Sequence, residues 1–199
     1  MKLIALCGAA GAGKDTVADM LPARKLAFAD TLYAEVAEAF GVTETRLRDR
    51  ATKETPIREL AQDQTFSDDF DDFMEENHGT HWSDDTPRSP RQILQWWGDY
   101  RRAQDPEYFV KQTAFDVAVA LRDGHSVVLT DVRFPNESAY VRRREGQLWQ
   151  IRRPGYEAGG TGHASDTDGS EFRPDVVLEN FGSLDDLRRT VLDAWEYCG

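Results

Sequence analysis

Cysteine is scarce in this 199-residue chain: Cys7 and Cys198 are the only two, with no metal-ligand spacing. That excludes a disulfide framework and suits a reducing compartment, with Cys7 reading as a small buried hydrophobe. Long apolar runs are missing too. None approaches the ~20 residues needed to cross a bilayer, and the opening MKLIALCG is too short an apolar stretch for a signal peptide. A cytoplasmic protein without membrane partners is therefore expected. There is no excess of base either. The net charge is −12, and the arginines fall in small clusters, 88/91, 101/102, 133, 142–144 and 152/153. Such clusters suit the phosphates of small ligands and fall short of the basic stripe of a duplex-binding protein. The Asn/Thr-Lys-x-Asp base-reading signature of GTP switches is absent, since TKET lacks its aspartate, and no local Ser-His-Asp signature occurs.

The negative charge is concentrated. Residues 63–87 hold nine Asp or Glu and no Lys or Arg, leaving 27 acids against 24 bases elsewhere. Within that segment Phe66, Phe70 and Phe73 are spaced for one helical face, and the simplest reading is a solvated amphipathic helix on an insertion. His78, His81, Asp84 and Asp85 lie close in sequence, but no full metal-ligand set is evident.

What is present is a core and an alternating pattern. Hydrophobic residues make up 40% and charged residues 30%, with a mean hydropathy of −0.62. One domain spanning 1–199 is expected. KLIALC, KLAFA, SVVLTD, QLWQIR and DVVLEN read as five strands, and the segments between them as crossover helices. This is an α/β pattern with a parallel sheet. KDTVADML starts a helix that stops at Pro22, and DTLYAEVAEAF one that stops at Gly41. Residues 44–65 look helical but broken near Pro56. Ser89 with Pro90, and Asp105 with Pro106, open two further helices; Asn136 and Ser183 cap the next two. Residues 154–173 are rich in glycine and polar side chains and read as mobile.

Chemistry enters with LCGAAGAGKDTVA. Gly8, Ala9, Ala10, Gly11, Ala12 and Gly13 follow an apolar strand and precede a helix, the context of a phosphate-binding loop. The glycines let backbone N–H groups converge, the helix aims its positive end at the same point, and Lys14 can bridge terminal phosphates. The Ser or Thr expected next is replaced by Asp15, with Thr16 one position later. A carboxylate there suits a helix N-terminus and tolerates phosphate if a divalent cation lies between them or if it turns outward. Asp131 ends a buried strand, where parallel sheets bind ligands and where carboxylates hold magnesium. Arg133 shares that rim. Arg91, Gln95 and Arg102 fall on one helical face and suit an anionic acceptor. Trp96 and Trp97 adjoin them, one of them suited to stacking on a base, the other reading being core packing. Arg152 and Arg153 precede the glycine-rich segment and suit a closing lid.

GAAGAGKDT, LAFADTLYAEVAEAFG, SPRQILQWWGDYRRAQDPEYFVK, VVLTDVRFPNE, IRRPG and DVVLENFGSLDDL together resemble the phage-type deoxynucleoside monophosphate kinases, a branch of the P-loop kinases. The resemblance implies a five-stranded parallel sheet flanked by helices, a helical acceptor-binding region over about 42–104, a mobile lid over about 153–174, and ATP with Mg²⁺ as donor. It implies that residues 8–16 and Arg153 bind ATP, that Lys14, Asp131 and Arg133 are catalytic, and that Asp15, Thr16 and Asp131 attend the metal. Asp30, at the end of the second strand, Arg91, Gln95, Trp97, Arg102 and Arg133 fall on the acceptor side. The setting would be host cytoplasm if the chain is phage-encoded. Two stretches depart from the family pattern: the acidic segment, and HASDTDGSEF, which separates His163 from Ser170 and Glu171 where the family shows a compact His-x-Ser-Glu.

The expected reaction is transfer of the ATP γ-phosphate to a deoxynucleoside 5′-monophosphate, a small-molecule acceptor. The alternative is a P-loop kinase acting on a hydroxyl, of a nucleoside or of a hydroxymethylated pyrimidine in phage DNA, with Asp30 as base. A third reading is an ATP-dependent switch without a small acceptor. The base is unspecified, and the oligomeric state is open, a homodimer included, because the core explains the apolar faces.

Overall fold

The computed structural model describes residues 1–78, 85–156 and 170–198. Five strands, β1 (Leu3–Cys7), β2 (Arg24–Leu26), β3 (Val127–Leu129), β4 (Gln147–Arg152) and β5 (Val176–Glu179), form one sheet of order β2-β3-β1-β4-β5. Every pairing is parallel, with Leu3 opposite Val127, Arg24 opposite Val127, Ile4 opposite Gln147 and Trp149 opposite Val176. The protein is thus an α/β fold with an all-parallel five-stranded sheet flanked by helices. No helix among the described residues is long and apolar enough to cross a membrane.

The chain divides into two compact units, residues 1–28 with 110–199, and residues 29–109. The first contains the whole sheet. Because side chains alternate across a strand, β1 sends Ile4 and Leu6 to one face and Leu3, Ala5 and Cys7 to the other. The first face packs with Val17 and Ala18 of α1 (Lys14–Met20) and Leu187 and Val191 of α8 (Leu184–Tyr197). The second packs with Val117 and Ala120 of α6 (Tyr108–Arg122) and Tyr140 and Val141 of α7 (Pro135–Arg143). Burial on both faces is why LIALC and VVL read as unbroken apolar runs rather than as alternations.

The second unit is helical, with α2 (Ala29–Ala39), α3 (Glu44–Arg48), α4 (Asp68–His78) and α5 (Pro90–Gln104). Its core joins Val36, Phe40, Leu47, Leu60, Phe70, Met74, Ile93 and Trp97. α5 opens as its sequence predicts: Ser89 and Gln92 form a reciprocal capping box and Pro90 follows the cap.

Several local expectations are corrected. The second strand ends at Leu26, and Asp30 lies in the first turn of α2 rather than at the strand's end. Past Arg48 the region 49–65 is turns, with 3-10 segments at Arg58–Leu60 and Gln62–Gln64; the amide of Ile57, next to Pro56, bonds instead to the carbonyl of Arg88 (3.0 Å). α6 starts at Tyr108, because Asp105 spends its carboxylate on the N–H of Glu107 in a local turn. In α7 the proline takes the first helical position, so Asn136 is inside the helix and not its cap.

The acidic segment is more than a solvated insertion. α4 buries Phe70 and Met74 completely. The Phe70 ring lies 4.7 Å from that of Trp97, 5.6 Å from Tyr100 and 6.2 Å from Phe40, centre to centre. Phe66 precedes the helix and is 80% exposed, so it does not share that face. His78 sits against Trp96 with ring centres 5.2 Å apart; His81 and Asp84 lie outside the described residues. Phe70→Ala is expected to destabilise the protein by about 3–5 kcal/mol in urea unfolding, and Phe66→Ala by less than about 0.5 kcal/mol. A solvated α4 would make both changes small.

Candidate functional site

In a parallel sheet every strand leaves along the same edge. The exits of β1, β3, β4 and β5 therefore gather residues 8–13, 130–133, 153–156 and 180 along one rim of the first unit. The loop after β1 is shaped by its glycines. Gly8 has φ 142°, and a Cβ there would strike the carbonyl oxygen of Ile151. Gly13 (φ 106°) caps α1 in the left-handed region, where a Cβ would come within 2.5 Å of Asn180 Nδ2. Both positions need glycine for conformation and for space. Inside the loop, Ala12 N–H donates to Ala9 O (3.2 Å) and Val17 N–H to Gly13 O (3.0 Å). Ala9 and Ala12 are buried and join the core beneath it, while Ala10 is exposed.

Lys14 is turned into this loop. Its Nζ donates to Gly8 O (2.6 Å) and Ala9 O (2.9 Å). Burial pulls its pKa down to about 8, the charge of Arg133 pulls the same way, and Asp15 and Asp131 oppose them. The ammonium is half-desolvated and stands beside another cation. It is a positive centre short of negative charge, held by neutral carbonyls.

Around it the structure brings together most of the first-unit residues expected from sequence. Asp131 follows β3 and its Oδ1 accepts the N–H of Phe28 at 2.8 Å. Val132 N–H bonds to Leu6 O (3.2 Å), fixing the exit of β3 against β1. Asp15 is exposed in the first turn of α1 and Thr16 is half-buried behind it. Gly13 has no side chain to cap α1, so Asp15 supplies the negative charge that the helix end favours. Arg153 donates to Gly11 O (3.3 Å) and stacks on Tyr156, 4.6 Å from the ring centre. A pocket of about 290 Å³, lined by Gly8, Ala9, Gln150, Arg152, Arg153 and Tyr156 among others, opens beside the loop. Of the remaining lid residues, His163 lies outside the described residues and Glu171 is exposed in a short 3-10 turn at Ser170–Phe172.

Three residues of this rim escaped sequence reasoning. Asn180 donates Nδ2–H to Ala12 O (2.8 Å) while its backbone N–H bonds to Arg152 O (2.7 Å), so it ties β5, β4 and the loop together. Glu137, 3% exposed, accepts the N–H groups of Arg133 (2.8 Å) and Phe134 (3.1 Å) and holds the turn that carries Arg133. Its place three residues into α7 is the one signal that could have flagged it. Tyr156 covers Gly11, whose Cβ would come within 2.5 Å of its ring.

Apart from Arg133, the residues expected on the acceptor side belong to the second unit. Asp30 pairs with Arg48 (2.9 Å). Arg91 pairs with Glu54. Arg102 lies over the ring of Phe109 at 4.8 Å. Gln95 is half-buried on α5. Trp97 is 3% exposed, ringed by Phe40, Phe70 and Tyr100, and its indole N–H donates to Glu35 (2.7 Å). This corrects the expectation that Trp97 offers a face to a base: its ring is core. Glu35 also accepts from Arg101 (2.9 Å) and from the hydroxyl of Tyr108, whose pKa rises to about 12 through burial and that bond.

Chemically, the first unit presents a loop of backbone donors, a helix N-terminus, a lysine, arginines and two carboxylates, the equipment for a polyphosphate with a divalent cation. Gly8→Ala should abolish tripolyphosphate binding measured by calorimetry. Gly124→Ala carries a similar backbone penalty (φ 87°) with nothing within 4 Å, and should leave that binding intact while costing about 1 kcal/mol of stability. No family model matches the chain, and a search of curated proteins finds no match.

Proposed function

We propose that this protein is a phosphotransferase of the phage-type deoxynucleoside monophosphate kinase kind, with the fold of a P-loop kinase, moving the γ-phosphoryl group of ATP to a deoxynucleoside 5′-monophosphate. The observation that carries the reading is Lys14, which is bonded to the loop's own carbonyls and acted on by the charges of Arg133, Asp15 and Asp131. A triphosphate gives that desolvated cation the negative partner it lacks, and the loop N–H groups follow.

An oxygen of the acceptor's ionised phosphate bonds to the γ-phosphorus as the bond from that phosphorus to the β–γ bridging oxygen breaks. The electron pair leaves on ADP. The attacking oxygen is already anionic, so no side chain has to take a proton. Catalysis then rests on alignment and on charge. Lys14 stabilises the charge that grows on the leaving β-phosphate, and Arg133, its turn fixed by Glu137, does the same for the transferring group. Arg153 is the further cation at the crown of the loop. Magnesium, when bound, would neutralise charge across the phosphates, with Asp15, Thr16 and Asp131 the residues to hold it. Among the described residues no group of three or more His, Cys, Asp or Glu could hold a metal. Magnesium bound with a nucleotide relies mainly on phosphate and water ligands, with one or two carboxylates. Acceptor recognition falls to the second unit, where Asp30, Arg91, Gln95 and Arg102 are the expected contacts.

The test is a panel of ribo- and deoxynucleoside monophosphates, nucleosides, and DNA with and without hydroxymethylpyrimidines, each given ATP and Mg²⁺. Diphosphate formation from one or more deoxynucleoside monophosphates is expected. Transfer to DNA or nucleosides alone, or ATP hydrolysis indifferent to every acceptor, would overturn the reading. Lys14→Ala should lower kcat by about 10²–10³-fold; an unchanged rate would place the chemistry elsewhere.

A further inference from the structure

The second unit contains a donor-rich cluster that the assignments above do not use. Lys53 lies in the segment between α3 and α5, and its carbonyl accepts the backbone N–H of Arg91 in the first turn of α5 (3.0 Å). Its half-buried side chain reaches back to α2, where Nζ donates to the hydroxyl of Tyr33 at 2.6 Å. The ring of Tyr33 in turn carries the guanidinium of Arg48, 3.9 Å from its centre. Two cations, Lys53 and Arg48, are thus assembled around one phenol.

Their partners are unequal. Arg48 is paired with Asp30 (2.9 Å) and Glu44 (3.1 Å), and Arg91 with Glu54. Lys53 faces no carboxylate among the described residues; its one side-chain hydrogen-bond partner is a neutral hydroxyl. Donor counting sharpens the point. An ammonium has three N–H donors and no acceptor, and one donor is spent on Tyr33. The phenol oxygen accepts that bond, so its own O–H is left to donate, and no described residue accepts it. The pair therefore offers two N–H groups and one O–H group, with positive charge, to whatever approaches. A half-buried cation with spare donors and a neutral partner is suited to receive an anionic oxygen cluster.

We propose that Lys53 and Tyr33 bind the 5′-phosphate of the acceptor nucleotide, with Tyr33 holding the ammonium in place. This rests on the kinase reading and extends it: it makes the monophosphate group, rather than the sugar or base, the feature this part of the unit selects.

The experiment uses whichever deoxynucleoside monophosphate the wild-type protein phosphorylates best, together with the corresponding nucleoside as a competitive ligand. Lys53→Ala should raise KM for the monophosphate about 10- to 100-fold, the loss of a charged hydrogen bond. KM for ATP should stay within about twofold, as should the nucleoside's inhibition constant. Lys53→Arg should recover most of the loss, and Tyr33→Phe should show a smaller effect in the same direction. Equal weakening of monophosphate and nucleoside would mean that Lys53 only supports the fold, and would overturn the assignment. An unchanged acceptor KM in Lys53→Ala would overturn it as well, while leaving the kinase reading standing. If the wild-type protein transfers phosphate to no nucleotide, the kinase reading itself fails, and this assignment with it.

Discussion

The pairing of β1 with β3 is the constraint from which the rest follows. Leu3 lies opposite Val127, residues far apart in sequence, and the register continues through Ile4–Val128 and Ala5–Leu129. This pairing sets the loop after β1 beside the turn after β3, so Lys14 comes under the charges of Asp131 and Arg133. A one-residue slip would exchange the faces of β3, taking Val128 out of one core and Val127 and Leu129 out of the other. The register is therefore fixed by burial on both sides of the sheet, and the site inherits its precision from the core. The Val132–Leu6 and Thr130–Leu26 hydrogen bonds extend that control past the strand ends to the turn that holds Asp131 and Arg133.

The local electrostatics are set by how that edge is built. Glycine at positions 8 and 13 allows a turn too tight for a side chain, and the turn brings two carbonyls within reach of the Lys14 ammonium. Burial and Arg133 then weaken the hold of its proton. Glu137 and Asn180 act behind this arrangement. One fixes the backbone that carries Arg133, and the other fixes the carbonyl of Ala12, so that groups facing a ligand do not need to be ordered by it. The surrounding rim adds Arg153 and Tyr156 at the crown of the loop.

What could be read from the sequence follows from range. Five strands, the glycine loop, and the caps at Ser89 and Ser183 are written in contiguous residues, because apolar runs, glycine torsions and capping boxes are local. Asn180 could not be read, since nothing near it reveals that Ala12, 168 residues away, will supply an acceptor. Trp97 and Phe70 failed for the same reason. Helical spacing places a residue on a face, but not which face meets a core, and an acidic helix with a buried Phe70 and Met74 looks from its composition like a surface helix. Asp30 was misplaced by only a few residues, where a strand gives way to a helix with no turn signal between them. Lys53 and Tyr33 had no signal at all. Their meaning appears only when α2 and the segment after α3 are seen together.

The central claim is that Lys14 is a phosphate-binding cation kept desolvated by its own loop, and its titration tests this most directly. The Lys14 side chain can be followed by NMR through its titration, assigned with Lys14→Arg, in the free protein and with a non-hydrolysable ATP analogue and Mg²⁺. In the free protein the group should titrate near pH 8, because burial and Arg133 disfavour its charged form. A bound polyphosphate favours that form, so its pKa should rise by more than about one unit, with proton uptake on binding that grows as the pH passes 8. A Lys14 titration that the nucleotide leaves unmoved would contradict the account.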